Sequence, residues 1–146
     1  MPRRGKFRFS TTIEARWRDT DPMGHVNNAV YFTYFEVGRV GYLRAIGLRP
    51  TGDPGRDYSF ILVSAACEYL APVKYGEKVT ICVRVSRLGK KSFDVEYLLT
   101  HGRKKIATGR TVQVAYDYCK GETRNIPSNF RRAIRRYEGA ALTPAQ

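Results

Sequence analysis

The chain has 146 residues, enough for one domain with a real core, and its 42% hydrophobic and 12% aromatic content excludes a disordered polymer. Its net charge of +13, from 26 basic and 13 acidic residues, favours polyanionic partners: nucleic acid, acidic lipid or a phosphate-rich ligand. Charge alone does not choose among them.

The first strand is expected from Phe7 to Trp17, with Phe7, Phe9, Ile13, Ala15 and Trp17 on one face and Arg8, Ser10, Thr12, Glu14 and Arg16 on the other. A Pro/Gly turn follows. A long helix is then expected to open at Asn27 or Asn28, either of which can serve as N-cap, and to stop near Gly47. Tyr31, Phe32, Phe35, Tyr42 and Ile46 give it a wide apolar surface that a sheet would bury. Arg49 to Asp57 reads as a loop.

Phe60–Leu70 is nearly continuous in apolar character, as expected of a central strand. Lys78–Leu88 alternates, with Val79, Ile81, Val83 and Val85 inward, and Leu88-Gly89-Lys90-Lys91 makes a hairpin turn. Phe93, Val95, Tyr97 and Leu99 form the next inward row, and His101-Gly102-Arg103-Lys104 turns again. Ile106 to Tyr118 is a last long strand carrying Val112, Val114 and Tyr116 on one face. Ser128–Glu138 is an amphipathic helix, with Phe130, Ala133, Ile134 and Tyr137 opposite Arg131, Arg132, Arg135 and Arg136. One strand, a buried helix and an antiparallel meander make an α+β domain.

Cys67, Cys82 and Cys119 give neither a disulfide framework nor a zinc-binding spacing, so reduced thiols in a cytoplasmic protein are expected. The basic stretch at Met1–Lys6 has no apolar h-region behind it, and no apolar run is long enough to span a bilayer. Secretion by a signal peptide and membrane insertion are not expected.

Chemistry concentrates in Trp17-Arg18-Asp19-Thr20-Asp21-Pro22-Met23-Gly24-His25-Val26-Asn27-Asn28-Ala29-Val30-Tyr31. Two carboxylates, a turn, an imidazole and a helix N-terminus follow one another. Unpaired N–H groups at a helix start suit an anion or a developing oxyanion, and a carboxylate beside them suits acyl transfer. Two other readings of these residues stand: an Asp-Pro turn in which Asp21 bonds nearby backbone, and a divalent-metal site from Asp19, Asp21 and His25. Asp19 can instead partner Arg16 or Arg18.

The pattern Asp-x-Asp-x-x-Gly-His-Val-Asn-Asn-x-x-Tyr resembles the hotdog-fold thioesterases of the 4-hydroxybenzoyl-CoA thioesterase-like branch, and Glu68-Tyr69-Leu70-Ala71-Pro72-Val73-Lys74-Tyr75-Gly76-Glu77 supports it. The resemblance implies one hotdog domain over 1–146, its core about 7–118, with a curved antiparallel sheet wrapped around a central helix. It implies acyl-CoA hydrolysis with Asp21 as nucleophile or general base. The Asn28 N–H would be the oxyanion donor, and His25 would bond the carbonyl or hold Asp21. Asn27 is the alternative cap, and Tyr31 and Phe35 are candidates for the acyl pocket. Lys90, Lys91, Arg103 and Arg124 are candidates for the phosphates of coenzyme A. No metal or redox cofactor is implied. The implied partners are acyl-CoA and further copies of the chain, as a homodimer or a dimer of dimers. The alternative is a non-catalytic binder of acyl-CoA or acyl-carrier protein. Nucleic acid is not an expected partner, because no helix-turn-helix, zinc-finger or RNP-type motif is present.

Overall fold

Alternating apolar and polar residues build an antiparallel sheet in the computed structural model, which describes residues 5–48 and 60–142. In chain order the elements are β1 (Phe9–Glu14), α1 (Val30–Ala45), β2 (Phe60–Tyr69), β3 (Lys78–Leu88), β4 (Ser92–His101), β5 (Lys104–Asp117), β6 (Glu122–Thr123) and α2 (Ser128–Glu138). Short 3-10 turns lie at Trp17–Asp19 and Gly139–Ala141. The sheet runs β1-β3-β4-β5-β2, with β6 added to β5. The loop expected at Arg49–Asp57 lies outside the described residues.

α1 packs on the face made by Val79, Ile81, Val83, Val95, Tyr97 and Leu99, all buried. Glycines set the approach. A Cβ at Gly38 would lie 2.5 Å from Ile81 Cγ2 and 2.8 Å from Val83 Cγ2, and one at Gly109 would strike the Phe35 ring. Phe35 stacks on Tyr97 with ring centroids 4.4 Å apart. The helix stops as expected: Gly47 takes φ +90, and the Leu48 N–H bonds the Leu43 carbonyl at 2.9 Å.

α2 has the expected bounds and buries Phe130 and Ile134, with Phe130 against Phe60 and Phe93. The Glu138 carboxylate at its end accepts the Tyr42 hydroxyl at 2.6 Å and the Val85 N–H at 3.1 Å, where β3 extends past its pairing with β1. Among the described residues no helix is long and apolar enough to cross a membrane.

Three expectations are corrected. The first strand ends at Glu14, and Trp17 sits in the 3-10 turn, 75% exposed rather than inward. The cause is Asp19, whose carboxylate takes the Arg16 N–H and guanidinium and bends the chain. α1 begins at Val30 with Ala29 as N-cap, because Asn27 and Asn28 are spent in a turn before it. β2 is an edge strand of the sheet, not a central one. On β5 Val112, Val114 and Tyr116 share one face as expected; it is the outer one, where Val112 and Val114 pair with Asp94 and Ser92, and the inner face carries Gly109, Thr111, Gln113 and Ala115. The close approach of Gly109 to Phe35 selects that register.

Candidate active site

The segment from Asp19 to Asn27 doubles back on itself. The Asn27 N–H bonds the Asp19 carbonyl, the Asp21 N–H bonds the His25 carbonyl and the Gly24 N–H bonds the Asp21 carbonyl, each at 2.9 Å. Gly24 has φ +85, a conformation that an L side chain rarely adopts, so the tight turn depends on it. The Val26 N–H reaches the Val73 carbonyl at 2.8 Å and His25 pairs with Lys74, fastening this ribbon to the chain beyond β2.

The two carboxylates part company here. Asp19 is buried and held by the Arg16 guanidinium at 2.8 Å and the Tyr34 hydroxyl at 2.9 Å. Burial raises its pKa, but the Arg16 and Tyr34 bonds outweigh that and leave the carboxyl below its ordinary range. The same burial and the bond to Asp19 push the Tyr34 hydroxyl up. Asp19 is therefore engaged away from Asp21 and His25. Among the described residues no group of three or more His, Cys, Asp or Glu side chains could hold a metal ion.

Asp21 faces an open cleft of about 480 Å³ that it lines with Met23, His25, Asn28, Tyr31 and Tyr69. One carboxylate oxygen accepts the Met23 N–H at 2.9 Å, the Asp-Pro turn bond that the sequence allowed. Oδ2 has no partner among the described residues. Turn and open carboxylate coexist.

The backbone from Asn27 to Val30 accounts for its donors in detail. The Asn27 N–H goes to Asp19, the Ala29 N–H to Asn27 Oδ1 at 2.9 Å and the Val30 N–H to the Asn27 carbonyl at 2.9 Å. The Asn28 N–H alone of these has no acceptor among the described residues, and Asn28 lines the cleft. An unspent donor beside an accessible carboxylate can polarise a carbonyl while the carboxylate acts on its carbon.

Of the other sequence candidates, Asn27 supports this turn from outside the cleft wall. Tyr31 lines the cleft, is 3% exposed, and has its hydroxyl pushed up by burial. Phe35 is a core residue stacked on Tyr97 and does not line the cleft. Arg103 sits on the β4–β5 hairpin, at the sheet end where the Leu70 N–H bonds the Ile106 carbonyl, the end that holds the cleft. Lys90, Lys91 and Arg124 gather at the other end: Lys91 Nζ lies 3.4 Å from Thr123 Oγ1, and the Arg124 N–H bonds the Ala115 carbonyl. The 10 residues of β4 separate the two ends by roughly 30 Å.

Sequence reasoning missed Tyr69 as a wall of the cleft. Its ring meets Tyr31 edge-on at 4.9 Å, and its hydroxyl donates to the Asn28 carbonyl at 2.8 Å. The supporting stretch from Glu68 to Glu77 contained it, but no local signal places a strand end on a helix start.

Residues 15–134 match the family model of the thioesterase-like superfamily, and the chain belongs to that superfamily. It is similar to a Thermus thermophilus thioesterase whose crystal structure is described as complexed with coenzyme A and Zn. That match has a TM-score of 0.82 and 33% identity, covering 94% of this chain and 98% of that one. The 1,4-dihydroxy-2-naphthoyl-CoA hydrolase of Synechococcus elongatus is 27% identical over 76% of this chain and 82% of its own length. The uncharacterized Bacillus subtilis protein YsmA is 30% identical over 63% of this chain, and the match spans only 60% of that relative's length.

Proposed function

We propose that this chain is an acyl-CoA thioesterase, hydrolysing a thioester to a free acid and coenzyme A. The observation that carries the reading is that Asn28, whose N–H has no acceptor among the described residues, lines the same cleft as Asp21. The thioester carbonyl oxygen accepts from Asn28, which stabilises the negative charge of the tetrahedral intermediate; one such donor is typically worth about 3 kcal/mol. Asp21 takes a proton from water as hydroxide adds to the carbonyl carbon, or attacks that carbon itself and forms a mixed anhydride that water then opens. Either route expels coenzyme A as a thiolate, which then takes up a proton. His25 lines the same cleft, and in this reading it bonds the carbonyl or steadies Asp21.

The descriptions of the Thermus and Synechococcus proteins support coenzyme A as the carrier, and the +13 charge suits its phosphates. Cys67, Cys82 and Cys119 form no disulfide among the described residues, which suits a reducing, cytoplasmic setting.

The working unit in this reading is a homodimer. Among the described residues β2 ends the sheet with an unpaired edge and exposes Leu62 and Val63, while α1 exposes Val37 and Val40 nearby. Antiparallel pairing of two β2 edges about a twofold axis would bring the far end of the partner's sheet beside this cleft. Lys90, Lys91 and Arg124 would then serve the partner's substrate.

The test is hydrolysis of a panel of short, long and aryl acyl-CoAs by the protein and by Asp21→Asn. Turnover by the wild type and a loss of about 10²–10⁴-fold in the variant are expected. Binding without hydrolysis would instead favour the non-catalytic reading.

A further inference from the structure

We propose that Tyr69 is a positioning residue for the reaction: its hydroxyl, by bonding the Asn28 carbonyl, holds the oxyanion donor in place. The inference rests on the reading of Asn28 as that donor. Asn28 stands ahead of the first helical residue, Val30, and the cap at Ala29 has no side-chain hydrogen bond. A turn of this kind frays unless something outside the helix restrains it. The restraints are few and identifiable. Asn27 is tied to Asp19, Ala29 to Asn27 Oδ1, and Asn28 itself to the Tyr69 hydroxyl at 2.8 Å. The Tyr69 bond is the one that reaches Asn28 from the sheet.

The clamp is itself well held. Tyr69 closes β2, paired with Ala107 of β5, and the next two N–H groups, of Leu70 and Ala71, both bond the Ile106 carbonyl. Its ring stands at 89° to that of Tyr31, which is buried in the first turn of α1. The strand end therefore fixes the ring, and the ring carries its hydroxyl to the helix start. Burial raises the Tyr69 hydroxyl above its ordinary pKa, so it remains a donor across the neutral range.

An oxyanion donor is effective because it need not reorganise as charge develops. Loosening of the turn at Asn28 weakens the transition state more than the ground state, since the carbonyl oxygen bonds most strongly when it is negative. A loss in kcat with an unchanged KM is the signature of such an interaction.

The experiment uses the full chain carrying Tyr69→Phe, which keeps the ring and its contact with Tyr31 and removes only the hydroxyl. We expect kcat to fall about 10- to 100-fold, the scale of a small misplacement, with KM within about twofold and the pH–rate profile unmoved. A trifluoromethyl ketone analogue of the substrate, whose hydrate mimics the tetrahedral intermediate, should lose affinity by the same factor as kcat. A thioether analogue lacking the carbonyl should bind both proteins equally. Equal kcat in Tyr69→Phe and wild type would overturn the inference, as would parallel losses for both analogues. Disappearance of one limb of the pH profile would also overturn it, making Tyr69 a proton donor instead. If the wild type hydrolyses acyl-CoA and Asp21→Asn does not, a fully active Tyr69→Phe sinks only this inference. An inactive wild type sinks the proposed function itself.

Discussion

Asp19 and Asp21 stand two residues apart, the first buried on Arg16 and Tyr34, the second open to the cleft. The difference gives Asp19 a stability role with a definite pH dependence. Its folded pKa is depressed below the unfolded value of about 3.9. The stabilisation is therefore present above pH ~4 and is lost as pH falls through the folded pKa. Asp19→Ala leaves the Tyr34 hydroxyl and the Arg16 N–H unmatched, which costs about 1–3 kcal/mol near pH 7. Arg16 is more than half exposed, so solvent screens its share. Thermal unfolding at pH 7 and pH 3 checks this: the gap in Tm between variant and wild type should narrow in acid. A gap of the same size at both pH values would show that the carboxylate charge is not its source.

Among elements, α1 is placed by absence of side chains as much as by their presence. Gly38 faces Ile81 and Val83 at distances that leave no room for a methyl group. By helix propensity alone Gly38→Ala should stabilise by about 1 kcal/mol. Overpacking against β3 opposes it with about 1–3 kcal/mol, and the clash is with side chains rooted in a buried strand. Net destabilisation is expected, read as a lower denaturant midpoint with an unchanged slope. A stabilised variant would mean that helix and sheet separate more readily than this packing implies.

For the whole molecule, the exposed β2 edge leads to two expectations. Sedimentation should give a dimer, and Leu62→Lys should give a monomer with most of the activity gone, since Leu62 is a 53% exposed apolar residue of that edge. A monomeric wild type with full activity would end the cross-subunit account. If Lys90 and Lys91 hold the phosphates of coenzyme A, as the proposed dimer requires, charge reversal at both together should raise KM for acyl-CoA and spare kcat, because an interaction with phosphate is the same in ground and transition states. The effect should shrink for a pantetheine thioester that lacks the nucleotide, and at high salt, where charges are screened within about 10 Å at 0.1 M. Equal losses on both substrates would move the phosphate site to Arg103 and its neighbours on the other hairpin.

Local order was legible in the residues alone. Strand alternation marks Val79, Ile81, Val83 and Phe93 to Leu99 as an inward face, and the Asp21-to-Tyr31 segment announces a carboxylate, a turn and a helix start. Periods of two and 3.6 residues depend only on the backbone, so they can be read one segment at a time. Tertiary structure decided what those periods leave open. A two-residue repeat says which side chains of β5 share a face, but the contact of Gly109 with Phe35 decides which face meets the core. Apolar continuity in Phe60–Leu70 reads as a strand covered on both faces, but among the described residues β2 lies at the sheet edge with Leu62 and Val63 exposed. The same holds for the site. The Arg16 partner of Asp19 was legible in sequence, but its second partner, Tyr34, stands 15 residues later and was not. Tyr69 reaches Asn28 across 41 residues because β2 pairs with β5 and ends against α1, a long-range pairing that no local pattern encodes.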